Sequence, residues 1–254
     1  MTEALPRRRF LIGAATGTAA VTVAGAFAAP DLAAAQPQET APETKSAPKP
    51  ETTAAAAETP EYIPEPMQVL TATEAAFVAA AADAMIPADD LSPSGSECGV
   101  VTYIDRQLAG AYGAGARMYR AGPFHAAVPG AGNQSPLPPL EFFRAGIKAA
   151  NDWTKATHGK PLDGLEPAKI AEALKTMEAG KAEFASIGSR PFFNALLTMV
   201  MEGFFADPMY GGNRNMASWR MIGYPGLPAT YADKIDAFRG KRYDVEPQSI
   251  ADFS

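Results

Sequence analysis

The sequence SRPFFNALLTMVMEGFF, residues 189–205, carries large apolar side chains on nearly every side of the helix that it predicts. These side chains belong to Phe193, Leu196, Leu197, Val200, Met201, Phe204 and Phe205. A helix of this kind is normally enclosed by other helices, because none of its faces prefers water. The segment therefore predicts an all-α bundle with this helix at its centre.

Four other helices are predicted upstream from apolar periodicity and from start and stop signals. They begin near Thr71, Ser96, Pro139 and Asp163. Thr71 and Glu74 have the spacing of a capping box. The chain after Gly226 is polar and predicts irregular structure. The predicted fold is all-α: a single irregular helical bundle of about five main helices with long Gly/Pro-rich loops, preceded by a disordered linker.

The N-terminus has the features of an export signal. Arg7, Arg8, Phe10 and Leu11 precede an apolar stretch rich in alanine and glycine, an arrangement typical of the twin-arginine type. We assign residues 1–28 to this signal peptide. The apolar stretch is long enough to span a bilayer, so a retained membrane anchor is the alternative to a cleaved signal.

A linker of biased composition follows the signal. Residues 29–66 are rich in Pro, Ala, Glu and Thr. They are predicted to be disordered, because they bury too little apolar surface to offset the entropy of ordering the chain. The helical domain is therefore expected to span residues 67–254.

The composition excludes several classes of function. The formal net charge is −6 at pH 7, which disfavours binding to nucleic acid or to anionic lipid headgroups. The single cysteine, Cys98, excludes an intrachain disulfide, although the export signal predicts an oxidising destination. Stability must therefore come from packing.

Residues that could hold a metal or a nucleotide are scarce. His125, His158 and Cys98 are too far apart in sequence for the usual zinc, covalent haem or iron–sulfur motifs. The glycines of 110–115 reverse the order of a dinucleotide-binding loop, and no Walker-type loop is present. The sequence predicts no catalytic, metal or cofactor site in this chain.

Glu202 is the carboxylate whose setting is most unusual, since it lies on the apolar central helix. Burial there would raise its pKa. We expect it to accept a hydrogen bond from a loop backbone, such as that of the glycine-rich turn just downstream. His158 is expected to act as a cation at a helix C-terminus, and His125 to make a loop contact.

Aromatic side chains gather in two loop regions. The loop 111–139 carries Tyr112, Tyr119 and Phe124, and it predicts a surface arm that lies on another molecule. The segment 204–226 combines glycines with Tyr and Trp, the residue types enriched at protein interfaces. A turn whose aromatic side chains cap the core is the alternative interpretation of that segment.

The strings EGFFADPMYGGN at 202–213 and WRMIGYPG at 219–226 resemble the signature of the gluconate 2-dehydrogenase subunit 3 family. Shorter pieces agree in the same order: Ile86–Asp89, Gly99–Asp105 and Gly115–Phe124. The chain is thus similar to the small, or gamma, subunits of membrane-bound flavin-dependent sugar and sugar-acid dehydrogenases.

The resemblance implies a complex of three chains. A large subunit binds FAD and oxidises the sugar, and a multihaem cytochrome c subunit at the membrane passes the electrons to quinone. The small subunit holds no cofactor; it binds the large subunit and supplies the signal for the twin-arginine translocase. The complex is then expected in the periplasm, held at the inner membrane through the partner subunits.

The partner-binding residues expected from this resemblance are Tyr112, Phe124, Tyr210, Gly211, Gly212, Asn213, Trp219 and Tyr224. Two other functions stay open at this point. One is a stand-alone periplasmic protein that binds a small molecule. The other is an enzyme that uses His125 or Glu202.

Overall fold

The computed structural model describes residues 66–124, 135–227 and 230–253. The predicted signal peptide, including Arg7, Arg8, Phe10 and Leu11, and the predicted linker up to residue 65 lie outside these ranges. Within them, the helices are α1 Ala72–Met85, α2 Val100–Ala109, α3 Pro139–His158, α4 Pro167–Glu178, α5 Ser189–Phe205, α6 Ala217–Ile222 and α7 Ala232–Phe238. The described residues form no β-strand, so the all-α prediction is confirmed.

Helix α5 lies at the centre of the bundle, as its composition predicts. It packs against α2, α3 and α4. Its fully enclosed side chains are Phe192, Phe193, Leu196, Met199, Val200 and Phe204. Burying a side chain of this size stabilises the fold by about 1.5–3 kcal/mol relative to exposing it, so α5 is a major contributor to the core.

Phe192 stands at the middle of an aromatic group within that core. Its ring centroid lies 6.1 Å from that of Phe77 and 6.1 Å from that of Phe143, and the ring of Phe143 is nearly perpendicular to it. Gly146 on α3 makes room for the ring: a Cβ there would lie 2.0 Å from Phe192 Cδ2. Glycine lowers the helix propensity of α3, but packing against Phe192 requires a residue without a side chain at this position.

Helix α1 begins with the predicted capping box. The Glu74 N–H donates to Thr71 Oγ1 at 3.3 Å, and the Thr71 N–H donates to the Glu74 carboxylate at 2.8 Å. The helix buries Phe77, Val78 and Met85 against the core. It stops at Met85, one residue before its C-cap and two before Pro87.

The predicted start of α2 near Ser96 is wrong by four residues, because α2 begins at Val100. Asp83 accepts hydrogen bonds from the N–H and the hydroxyl of Ser96, both at 2.8 Å, and holds that residue in a turn. Gly99 then adopts φ 85°, which a right-handed helix does not allow. A Cβ at Gly99 would lie 2.4 Å from the Gly211 carbonyl oxygen, so a contact from the other end of the chain sets this boundary.

The boundaries of α3 and α4 follow their proline and glycine signals. Each helix has a proline as its first residue, where a missing N–H costs nothing. Helix α3 ends at His158 before Gly159, which adopts φ 77°. The predicted start of α4 near Asp163 is wrong by four residues, because Leu162–Gly164 form a separate 3-10 turn and α4 begins at Pro167.

A buried carboxylate fastens the start of the domain to α2. Asp105 is 2 % exposed, and it accepts hydrogen bonds from the N–H groups of Gln68, Val69 and Leu70 at 2.6, 3.0 and 2.8 Å. Three N–H donors offset the cost of removing a charged oxygen pair from water. The segment before α1 is thereby held in place.

The C-terminal segment is more regular than its sequence predicts. It contains α7, a parallel bridge between Gly226 and Gln248, and a 3-10 turn at Ile250–Phe253. Asp207 fastens its end: the carboxylate accepts from Ser249 Oγ at 2.6 Å and from the Ile250 N–H at 2.8 Å. The prediction of irregular structure after Gly226 was wrong, because tertiary contacts order this polar segment.

Candidate partner-binding surface

The glycine turn, residues Pro208–Arg214, lies directly on α5 and α2. The Asn213 N–H donates to the Gly203 carbonyl at 3.1 Å. A Cβ at Gly212 would lie 2.1 Å from that same carbonyl oxygen. Gly211 adopts φ 92°, and a Cβ there would lie 2.8 Å from an Arg106 nitrogen. Only glycine permits this approach of two backbones.

Asn213 is the internal support of the turn. It is fully buried, and its Oδ1 accepts from the N–H and the hydroxyl of Ser218 at 2.9 and 2.7 Å. Its Nδ2 donates to the Ala206 carbonyl at 3.0 Å. Its φ of 44° is one that asparagine tolerates better than most residues. The side chain therefore ties the turn to both of its flanking segments.

Arg214 ties the turn to α2. Its N–H donates to the Cys98 carbonyl at 3.0 Å, and its guanidinium donates to Thr102 Oγ1 at 3.1 Å. The Cys98 side chain is buried at this junction, where its thiol donates to the Pro93 carbonyl at 3.6 Å. The end of α5, the start of α2 and the turn thus form one continuous structure.

Trp219 is also a support, since it is 6 % exposed. Its indole N–H donates to the Phe205 carbonyl at 2.9 Å, one of the α5 C-terminal carbonyls that lack a helical partner. Tyr224 packs edge-on against its ring at a centroid distance of 5.1 Å. Trp219 therefore anchors α6 to the end of α5, and its side chain does not reach the surface.

The outward-facing residues of the region are large and apolar. Tyr112 is 47 % exposed, Met209 45 %, Tyr210 43 % and Tyr224 40 %. Phe124, at the end of a described range, is 38 % exposed. Of the predicted contact residues, Tyr112, Phe124, Tyr210 and Tyr224 are thus on the surface, Gly211 is half-buried, and Gly212, Asn213 and Trp219 are buried.

We use the name tyrosine–acid cluster for Tyr103 and the three residues whose charges influence its ionisation: Tyr112, Tyr210 and Glu202. The Tyr103 hydroxyl donates to the Glu202 carboxylate, and Tyr112 and Tyr210 lie near enough to affect the ionisation of Tyr103. Helix α2, the loop after it, α5 and the glycine turn each supply one member. A Cβ at Gly203 would lie 2.9 Å from the Tyr103 ring, so this glycine admits Tyr103 beside α5.

The cluster shifts the ionisation of its own members. Burial, and then the charge and hydrogen bond of Glu202, raise the pKa of Tyr103 to about 12. Burial, and then the charge of Glu202, raise the pKa of Tyr112. Partial burial raises the pKa of Glu202, and the hydrogen bond from Tyr103 opposes that shift. Each shift keeps a proton on its group more firmly than water would.

Neither Tyr103 nor its hydrogen bond to Glu202 was predicted from the sequence. The predicted loop-backbone hydrogen bond to Glu202 was wrong, because the carboxylate accepts from the Tyr103 phenol instead. Tyr103 lies beside the buried stripe of α2, and its large ring on a half-exposed face was the available signal. His158 ends α3 as predicted and packs edge-on against Trp153 at 6.0 Å, whereas His125 lies outside the described residues.

The described surface also has concave sites. A cleft of about 410 Å³ beside Tyr112 has mainly apolar walls, including Met118, Leu137 and Phe142. A larger groove of about 780 Å³ runs along α3, with Lys148, Asp152, Trp153, Lys181 and Glu183 in its walls. Both are open rather than enclosed.

Across residues 66–124, 135–227 and 230–253, no group of three or more His, Cys, Asp or Glu side chains is arranged to hold a metal ion. No helix in these ranges combines the length and the hydropathy needed to cross a bilayer.

Comparison with known families gives one result. The family model described as Gluconate 2-dehydrogenase subunit 3 matches residues 72–226, from the start of α1 to the end of the turn that follows α6. The match therefore includes the glycine turn and every member of the tyrosine–acid cluster. Comparison with curated proteins and with solved structures gave no match.

Proposed function

The chain belongs to the gluconate 2-dehydrogenase subunit 3 family, and from this premise we propose that it is the cofactor-free small subunit of a periplasmic, FAD-dependent sugar or sugar-acid dehydrogenase. In this role it binds the large flavoprotein subunit and carries it through the twin-arginine translocase. FAD belongs to the large subunit and haem c to a cytochrome subunit that holds the complex at the inner membrane. The chain itself performs no redox step.

The observation that carries this proposal is the exposed face of the glycine turn. The family match covers the turn, and the turn presents Tyr210 and Met209 to solvent. Tyrosine and methionine are both enriched at protein interfaces, and tyrosine adds a large apolar area at small entropic cost. The rigid support beneath them means that docking need not order the turn, which favours affinity.

The export part of the proposal rests on the sequence before the domain. The twin-arginine address at Arg7 and Arg8 is read by a receptor, and the long Pro-rich segment after it separates that address from the folded subunit. Two subunits that assemble in the cytoplasm can then cross the membrane as a folded pair, directed by the one twin-arginine signal. The large subunit needs no signal of its own.

The proposal is tested by purifying the tagged chain from native periplasm and membranes and recording the absorption spectrum of the eluate. We expect a larger chain to co-elute with flavin absorbance. A second arm changes Arg7→Lys and Arg8→Lys, and we expect both chains to stay in the cytoplasm. A colourless chain that elutes alone and stable would contradict the subunit role.

A stand-alone small-molecule-binding protein is the second candidate, and the groove along α3 is the observation that favours it. Its volume of about 780 Å³ lies in the range of ligand sites, and Lys148 and Asp152 offer polar contacts. Under this alternative the isolated chain is a monomer whose melting temperature rises with a ligand. A thermal-shift screen of sugars and sugar acids separates the two functions.

A further inference from the structure

The apolar cleft of about 410 Å³ beside Tyr112 lies between the loop that follows α2 and the start of α3. Its walls include Met118, Leu137 and Phe142, and among the described residues that line it Arg117 is the only charged one. Sites for small molecules bury most of the ligand, whereas this cleft is open to solvent. Its shape therefore suits a segment of another protein better than a small molecule.

The stretch of sequence that forms this side of the cleft is basic, although the whole chain is acidic. Residues 106–140 contain no Asp or Glu, whereas the full chain has 28 of them and a net charge of −6. The same stretch contains Arg106, Arg117 and Arg120. This part of an acidic protein therefore favours an acidic partner.

Carboxylates on the neighbouring helices do not neutralise Arg117. Glu141 lies at the start of α3, but it is exposed and does not line the cleft. Glu202 on α5 acts on Tyr112 through its charge, and it accepts a hydrogen bond from the Tyr103 hydroxyl. It does not line the cleft either. The described walls of the cleft thus hold a cation without an anion.

The three arginines of the basic stretch have different surroundings. Arg106 lies against the glycine turn, where one of its guanidinium nitrogens would be 2.8 Å from a Cβ at Gly211. Arg117 and Arg120 are exposed, and neither forms an ion pair with a carboxylate in the described part of the chain. Tyr119, which lies between them in sequence, is 80 % exposed. The guanidiniums of Arg117 and Arg120 are therefore accessible to a partner.

We propose that the cleft receives an acidic segment of the large subunit, which places an apolar side chain against the cleft walls and an adjacent carboxylate on Arg117. This inference rests on the proposed function and names the chemistry of one contact between the two subunits. The apolar walls favour a side chain that leaves water. A guanidinium binds a carboxylate through two parallel hydrogen bonds. A neutral segment is disfavoured, because it covers the Arg117 charge without compensating it.

The first test co-expresses the tagged chain with its large subunit and compares changes at the cleft. Arg117→Met removes the charge and keeps an unbranched apolar side chain, and Arg117→Lys keeps the charge. Ala195→Met fills the cleft from α5 and leaves the charge in place. Arg190→Met is the matched control, since Arg190 is exposed on α5, does not line the cleft and forms no ion pair in the described residues.

Bound flavin per tagged chain is measured at low and at high salt, and circular dichroism of each variant checks its fold. We expect Arg117→Met to weaken the complex about 10-fold and to reduce its sensitivity to salt. Ala195→Met should weaken the complex to a similar extent without changing that sensitivity. Arg117→Lys should retain part of the binding, and Arg190→Met should match the wild type.

Two failures are distinguishable in this experiment. If the wild-type chain recovers flavoprotein and Arg117→Met recovers as much, the contact with a carboxylate does not exist and the subunit role stands. If the wild-type chain itself recovers no flavoprotein, the subunit role fails first. Variants that lose helicity but still bind would show that the cleft is covered by residues of this chain, which overturns the proposal.

A zero-length cross-link identifies the occupant of the cleft. Carbodiimide joins an amine to a carboxylate in contact with it but forms no stable link to a guanidinium, so Arg117→Lys supplies the reactive group and Arg190→Lys is its control. Mass spectrometry of the complex should find position 117 joined to an Asp or Glu of the large subunit, and position 190 unlinked to that subunit. A link from position 117 to this chain or to a second copy of it, or no link in a complex that still contains flavin, would overturn the proposal.

Discussion

The inner and outer faces of segment 202–226 differ in burial, although residues of the two faces alternate along one short stretch of sequence. The inner face consists of Gly203, Gly212, Asn213 and Trp219, which are buried. The outer face consists of Glu202, Met209, Tyr210 and Tyr224, which are exposed. Inner residues bond the turn to α2 and α5, whereas outer residues make few contacts within the chain. One continuous signature therefore serves two purposes, the shape of a turn and the surface that it presents.

This difference predicts that changes on the inner face cost stability and that changes on the outer face cost binding. The largest effect is expected from Gly212→Ala. Its new Cβ would lie 2.1 Å from the Gly203 carbonyl oxygen, a backbone atom that cannot move alone. Thermal unfolding should show a loss of about 3 kcal/mol.

Gly110→Ala is the control for that change, since a Cβ at Gly110 would be 3.5 Å or more from its nearest neighbours. Its stability should stay within about 0.5–1 kcal/mol of the wild type. A Gly212→Ala variant as stable as Gly110→Ala would show that the turn does not rest on α5 as described.

A smaller loss is expected from Asn213→Ala, at about 2–3 kcal/mol. The change leaves the Ser218 N–H and the Ala206 carbonyl without their partner and places alanine at φ 44°. Asn213→Gly removes the same hydrogen bonds without the backbone strain, so denaturant unfolding should place it between the wild type and alanine. Equal losses of stability for the two variants would mean that the left-handed backbone conformation at residue 213 adds nothing to the cost of the alanine change.

On the outer face, Tyr210→Ala should change stability by no more than about 0.5 kcal/mol. Because the side chain is 43 % exposed, we expect its removal to leave no enclosed cavity. The same change should weaken the complex with the large subunit at least about 10-fold, since Tyr truncations at interfaces often have large effects. Calorimetry of the free chain and flavin recovery from the complex measure the two quantities. A Tyr210→Ala variant that loses stability but still binds the large subunit would contradict the assignment of Tyr210 to the binding face.

The smallest effect on stability at neutral pH is expected from Tyr103→Phe, whose consequence appears in alkali. The pKa of Tyr103 is raised to about 12 from its ordinary value of 10.0. The stability due to this shift is therefore present below pH 10 and is lost as the pH rises toward 12.

An absorbance titration of the tyrosine phenols tests that value. Tyr103→Phe should remove a late-titrating phenol and should flatten the fall in wild-type stability above pH 10. It should also raise the pKa of Glu202 further, because the hydrogen bond that lowers it is gone. If Tyr103→Phe instead removes a phenol that titrates at the ordinary pKa of tyrosine, the Tyr103–Glu202 contact is contradicted.

The helices could be predicted from the sequence because their signals are local. The capping box at Thr71, the prolines that begin α3 and α4, and the apolar circumference of α5 all act within a few residues. The start of α2 could not be predicted, since Gly99 owes its conformation to a carbonyl in the glycine turn. Helix α7 was missed because it has only seven residues and none of them is buried.

The site was only partly predictable for the same reason. Glycines and aromatic residues mark a turn with a possible interface, but their order does not tell which side chains face inward. Asn213 and Trp219 turn inward because Ser218 and the Phe205 carbonyl lie there in the fold. The Tyr103–Glu202 pair joins two helices that are distant in sequence. The export signal and the identity of the partners stay predictions.

The most direct test of the central claim, that the outer face binds the large flavoprotein subunit, is site-specific photo-cross-linking in the native host. A photoreactive phenylalanine replaces Tyr210 in one strain and Lys175, an exposed residue of α4, in another. We predict a light-dependent adduct with the flavin-containing large chain from position 210 and none from position 175. An adduct from 175 alone, or none from 210 in a chain that still co-purifies with the flavoprotein, would contradict the account.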